Sequence, residues 1–306
     1  MDEVTVLAPA TVSNVVCGFD CLGFALERPF DEMTVRKIDE RTVRIINHDD
    51  FGLPTDPAKN VAGVALLAVI EAADIAFGFE VEMTKHIKPG SGIGSSAASA
   101  SGAVVAANRL LDDRFSRLEL VELAMAGEML ASSSRHADNL APCIFGGFTL
   151  VRSTEPLDIV ELDFPPLFTA VIHPQIEIKT SEARAMLPTH VPLKEAVRNW
   201  SNLGSFVAAL AKGDYGLMSR SMEDSIVEPV RKKLIPKFDE VKARALALGA
   251  VGAGISGSGP SMFALCETRD VAANILRDVS ELYLHGGLDF NFHISEIVNS
   301  GAVINS

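Results

Sequence analysis

Apolar residues recur along this chain with two periods, one suited to strands and one to helices, and their interleaving predicts an α+β protein. Val4-Thr5-Val6-Leu7-Ala8 reads as a strand ended by Pro9. The segment 31–46 alternates with Met33, Val35, Val43 and Ile45 inward, the pattern of a hairpin. After Pro54, Asp56 and Pro57, the face Val61, Val64, Ala65, Ala68 and Val69 predicts a helix over roughly 59–73. Phe79 to Thr84 is the next strand, and a buried helix from Ser95 carries Ala98, Val104, Val105 and Leu111. A helix over 118–132 and a strand over 144–152 follow. In the second half, extended segments fall at 168–173, 177–180, 262–266 and 290–298, with helices at 181–187, 193–211, 238–248 and 271–284. Sheets with helices on one face suit this alternation. Phe164-Pro165-Pro166 punctuates it, so two domains are expected, 1–160 and 161–306.

The joint between the strand at 79–84 and the helix at Ser95 is the first place where chemistry shows. Lys88-Pro89-Gly90-Ser91-Gly92-Ile93-Gly94-Ser95-Ser96 sets three glycines ahead of a helix start. Glycine allows positive φ and close backbone approach, and a helix N-terminus presents unpaired N–H groups and a positive dipole end. The combination predicts a phosphate cradle, with Ser95 or Ser96 able to cap the first turn. It is not a Walker loop, because no lysine follows Gly94, and its spacing is not that of a dinucleotide fingerprint. The alternative is a flexible Gly/Ser linker, but Ile93 and the alanine-rich helix behind it are not linker composition. A second glycine-serine stretch, Gly252 to Ser261, has more glycines than one tight turn needs.

Composition narrows the partners. The 306 residues exceed what one core usually organises. A formal charge of −13 without a dense basic cluster argues against nucleic acid. No apolar run reaches membrane-span length and no leader pattern opens the chain, so a cytoplasmic protein is expected, with no membrane partner. Four cysteines, two of them Cys17 and Cys21, are too few for a disulfide framework and lack the second ligand pair of a zinc site.

Three motifs together resemble the GHMP small-molecule kinases, and within them the homoserine kinases. They are Pro9-Ala10-Thr11-Val12-Ser13-Asn14 with Gly18-Phe19-Asp20, the segment Gly92 to Ala97, and Gly254 to Ser261. His136-Ala137-Asp138-Asn139 and Glu228-Pro229-Val230-Arg231 point to the homoserine branch. The resemblance spans nearly the whole chain. It implies an N-terminal domain with a left-handed βαβ crossover and a C-terminal ferredoxin-like domain, with ATP in the cleft between them. It also admits a homodimer.

The site residues follow from the same resemblance. Ser96 and Glu128 would hold Mg²⁺. The nucleotide would meet Asn60, Lys88, the loop from Pro89 to Ser96, and Gly257. L-homoserine is a zwitterion, and its ammonium would meet Asp20 while Arg184 and Arg231 take its carboxylate. Asn14, His136 and Asn139 would position its hydroxyl. Taken singly, each of these has an ordinary structural reading. Several relatives use an aspartate as base where this chain has Asn139, and an amide cannot accept a proton. Catalysis by positioning and charge neutralisation is therefore expected, with Asp138 as the alternative base.

Overall fold

The computed structural model describes residues 2–132 and 135–305. Strand β1 (Glu3–Ser13) buries Val4, Val6, Ala8, Ala10 and Val12 and continues through Pro9 instead of stopping there. Its register against β2 (Leu22–Ile38) shifts between Pro9 and Thr11, the kind of irregularity at which a residue without an N–H is tolerated. Beside the shift, the Thr11 amide donates to the Ile93 carbonyl at 3.2 Å and ties β1 to the glycine loop.

The hairpin expected over 31–46 does not form. From β3 (Val43–Asn47) the chain crosses through α1 (Val61–Ala73) to β4 (Gly78–Thr84), which inserts between β2 and β3. It pairs antiparallel with β2 and parallel with β3. Alternation reveals a strand and its buried face but not its neighbour, and a parallel pair needs the crossover that α1 supplies. The first half continues with α2 (Ser95–Leu110), α3 (Arg117–Ser132), α4 (Leu140–Phe145), β5 (Phe148–Thr154) and β6 (Leu157–Leu162). Residues 144 and 145 thus close a helix where a strand was expected, and Gly146 and Gly147 turn the chain at φ +84° and +55°. A Cβ on Gly146 would lie 2.4 Å from the backbone of Asn299, so glycine is needed for that close approach.

The second half comprises β7 (Phe168–Pro174), α5 (Thr180–Ala185), α6 (Leu193–Lys212), α7 (Tyr215–Ser221), α8 (Glu228–Arg231), α9 (Phe238–Ala247), β8 (Gly252–Ile255), β9 (Met262–Cys266), α10 (Arg269–Gly286) and β10 (Phe290–Glu296). Residues 177–179 belong to no strand, contrary to the periodicity. The second sheet has the order β10-β7-β9-β8 with every pair antiparallel. Numbered in chain order this is 4-1-3-2, with α9 and α10 in the connections, the ferredoxin-like arrangement. The last strand, β11 (Val303–Asn305), returns to pair with β1, giving the first sheet seven strands.

Helix α2 is the pivot of the larger core. Ala97, Ala100, Ala103, Ala106 and Ala107 are fully buried, and a Cβ on Gly102 would meet Met33 Cε at 2.3 Å. Small residues on every side let β1, β2, α1 and α3 approach it closely. That core also takes Phe206, Met218 and Leu265 from the second half, while Ile172, Phe238, Val279 and Tyr283 fill a separate core on the second sheet. Among the described residues no helix is long and apolar enough to cross a membrane.

Candidate active site

A cleft of about 460 Å³ is walled by both halves of the chain. At one end lies the glycine loop, with Gly90, Gly92 and Gly94 at φ +74°, +85° and +72°. Gly94 is the N-cap of α2 and no side chain caps the helix. Ser95 does not cap it, since its hydroxyl donates to the Ile87 carbonyl at 2.8 Å, and Ser96 bonds to Glu128. The first-turn N–H groups of α2 therefore face the cleft uncapped, the donor set an anionic polyphosphate needs. Pro89, Gly90, Gly92, Gly94, Ser95 and Ser96 line this end, with Asn60 at the start of α1. Asn60 also caps α1, accepting from the amides of Ala62 and Gly63.

Three predicted loop residues do not line the cleft. Ser91 and Ile93 are buried at 1% and 2% exposure, and Lys88 extends to Gln175 Oε1 at 2.8 Å. Lys59, Lys85 and Lys179 do line it, and the buried one is Lys85, whose ammonium bonds Asp31, the Ser95 carbonyl and the Ser99 hydroxyl. Sequence reasoning missed Lys85, although it continues the inward phase of Phe79, Val81 and Met83, where a charged residue is out of place.

The second glycine stretch braces the first. A Cβ on Gly92 would lie 2.6 Å from the Gly259 carbonyl oxygen, and the Ser256 hydroxyl donates to the Gly92 carbonyl at 2.8 Å. Gly257 lines the cleft, but its N–H goes to the Ser13 carbonyl and its carbonyl accepts from Asn14 Nδ2 at 2.7 Å and Arg231 at 3.0 Å.

At the far end the chain after β1 passes through positive φ at Asn14, Val15 and Val16 (+72°, +39° and +62°) and again at Asp20 (+60°). Two β-branched residues in that region are costly, and such strain gathers where backbone placement serves a site. Asn14 Oδ1 accepts the Asp20 amide at 2.9 Å. The Asp20 carboxylate takes Arg184 at 2.7 and 3.0 Å and lies 3.8 Å from His136 Nδ1. Among the described residues Arg184 Nε, Arg231 Nε and His136 Nε2 are buried without a hydrogen-bond partner, so donors remain for a polar ligand.

Between the two ends stand Glu128, Asp138 and Asn139. The Asn139 amide is held at both atoms, accepting from the Thr11 hydroxyl at 2.8 Å and donating to the Ser13 hydroxyl at 2.9 Å. Asp138 is buried beside Ser13; burial and then the Asp20 charge push its carboxyl up, against the pull of His136 and the Ser13 hydrogen bond. Glu128 reaches Ser96 because α3 comes close to α1 at Gly127, where a Cβ would lie 2.4 Å from the Val61 carbonyl oxygen. Burial raises the Glu128 carboxyl to about 7, against the Ser96 hydrogen bond. No group of three or more His, Cys, Asp or Glu side chains that could hold a metal ion exists among the described residues. A carboxylate and a hydroxyl beside a phosphate cradle suit a hard cation that takes few protein oxygens.

Residues 60–147 match the GHMP kinases N terminal domain and residues 206–285 the GHMP kinases C terminal family. A curated homoserine kinase of Chloroherpeton thalassium is 44% identical over 92% of this chain and 93% of its own. The chain belongs to the homoserine kinases of the GHMP family. The crystal structure of homoserine kinase from Cytophaga hutchinsonii superposes with a TM-score of 0.95 at 45% identity, covering 100% of this chain and 98% of that one. The crystal structure of L. major mevalonate kinase shares the fold at a TM-score of 0.68 and 16% identity, covering 89% of this chain and 90% of that one.

Proposed function

We propose that this chain transfers the γ-phosphoryl group of ATP to the side-chain hydroxyl of L-homoserine, a step of threonine biosynthesis. The observation that carries this reading is one cleft holding an open helix N-terminus at one end and Asp20 with two arginines at the other. Bound ATP with Mg²⁺ supplies the activated phosphoryl group and a divalent charge on its oxygens. Ser96 and Glu128 would hold the cation, and the backbone N–H groups at Gly92 to Ser96 would hold the polyphosphate.

Acceptor binding exchanges one ion pair for two. The ammonium takes Asp20, and the carboxylate takes Arg184 and Arg231, an arrangement that uses both charges of a zwitterion. Asn139, locked by Thr11 and Ser13, positions the hydroxyl together with His136 and Asn14. Asn139 is an amide and cannot take up the hydroxyl proton, and burial disfavours the charged form of the neighbouring Asp138. No side chain then acts as base. The acceptor oxygen bonds to the γ-phosphorus as its bond to ADP breaks, the hydroxyl proton passes to a phosphate oxygen, and rate comes from positioning and charge neutralisation.

An ADP-release assay over amino acids and small alcohols with Mg²⁺ tests the substrate. Turnover of L-homoserine is expected; turnover of mevalonate but not L-homoserine would overturn the assignment. Two variants that fold and bind nucleotide normally test the mechanism. Asn139→Ala should lower kcat by roughly 10²-fold through lost positioning. Asp138→Asn should cost no more than that, and a loss of several orders of magnitude confined to it would make Asp138 the base.

A further inference from the structure

Phe19 belongs to the Gly18-Phe19-Asp20 motif, yet its ring takes no part in the chemistry above. It does not line the main cleft. It lines a small cavity of about 20 Å³ that shares Asn14, Arg231 and Gly257 with the cleft. Those three residues therefore form the wall between the two spaces, and Phe19 stands behind it. The ring centre lies 5.4 Å from Arg184 Cζ and 5.0 Å from Arg231 Cζ, both within cation–π range.

The two arginines come from separate helices, α5 and α8, and neither helix by itself sets the distance between them. Their charges repel. After burial, the Arg184 charge is the main cause that pushes the Arg231 guanidinium down from its ordinary value. Arg184 is ion-paired with Asp20, while Arg231 donates to the Gly257 carbonyl. An aromatic face attracts both cations without occupying their in-plane N–H donors, so the forks stay available to a carboxylate. The backbone that places this ring also places the adjacent Asp20, at φ +60°.

We propose that Phe19 is a positioning residue that sets the spacing and pose of Arg184 and Arg231 for the acceptor's carboxylate, and so favours amino acids over amino alcohols. This rests on the acceptor assignment made above.

The test compares Phe19→Met, which nearly conserves volume but removes the ring face, with Phe19→Tyr, which keeps it. Acceptors are L-homoserine and 3-aminopropan-1-ol, which is homoserine without its carboxylate. Phe19→Met should raise KM for L-homoserine on the order of tenfold with kcat within about twofold, while Phe19→Tyr stays near wild type. On 3-aminopropan-1-ol the Met variant and wild type should agree in kcat/KM, and KM for ATP should not move. An equal loss on both acceptors, or a Tyr variant as impaired as Met, would overturn the proposal. A substrate-free double-mutant cycle of Phe19→Met with Arg231→Met gives a second readout, expected to show a coupling of about fivefold in the unfolding equilibrium. Coupling below about twofold overturns the aromatic clip whatever the acceptor is. Should wild type fail on L-homoserine while the coupling stands, the acceptor assignment falls and the clip on the arginines is upheld.

Discussion

The carboxyl of Glu128 lies beside the Ser96 hydroxyl, and burial lifts its pKa from 4.5 to about 7. As a residue Glu128 is only half-buried, but its Oε2 atom is out of solvent. A carboxyl whose folded pKa exceeds its unfolded value favours folding when protonated, and that contribution is lost as pH rises from 4.5 to about 7. Without divalent cation, urea unfolding should therefore show wild type losing roughly 2.5 kcal/mol more than Glu128→Gln between pH 5 and 8. Mg²⁺ with nucleotide should raise the Tm of wild type at pH 8 by more than that of the variant, which keeps the backbone phosphate contacts but loses one cation ligand. Lys85 and Asp31 form a second residue-scale case, with side chains at 2% and 1% exposure. Asp31→Asn leaves the lysine charge buried alone and should cost about 3–5 kcal/mol, most of it recovered in Asp31→Asn with Lys85→Met. Denaturant titration of the three variants reads this directly.

At the scale of elements, the glycine loop works through its neighbours. Its conformation was legible, because three glycines before an alanine-rich helix have few other uses. Its bracing was not, because Gly259 and Ser256 stand far away in sequence and meet Gly92 only when the second sheet is in place. Gly92→Ala combines positive φ with a Cβ 2.6 Å from the Gly259 carbonyl oxygen. It should cost about 1–3 kcal/mol and raise KM for ATP at least about tenfold. Gly90→Ala meets nothing nearer than Glu177 Cγ at 3.5 Å, so only the strain of its φ remains and its cost should be about 1 kcal/mol. Thermal unfolding with nucleotide titration separates the two. Strand pairing shows the same division. The inward faces at Met33, Val35, Val43 and Ile45 were read correctly, whereas their supposed hairpin is opened by β4.

The whole molecule binds its halves together twice. β11 completes the edge of the first sheet beside β1, and Phe206, Met218 and Leu265 pack into the core around α2. A fragment of residues 1–160 stops inside β6 and lacks all of these. It should show no cooperative unfolding, with rapid amide exchange in β1 and α2, while the full chain protects both. The cleft depends on the same closure, since Gly257 and Arg184 reach Asn14 and Asp20 only across it.

Read alone, the sequence determined the local chemistry of this protein. Periodicity located most helices and strands, glycine spacing located the phosphate end, and the motif set identified the kinase family. Such features are encoded within a few residues of one another. Only the tertiary structure decided the partner of β3, the buried pairing of Lys85, the diversion of Lys88 to Gln175, and the ring of Phe19 against two arginines. Each joins residues far apart in the chain, and such contacts follow from how the sheets and helices pack.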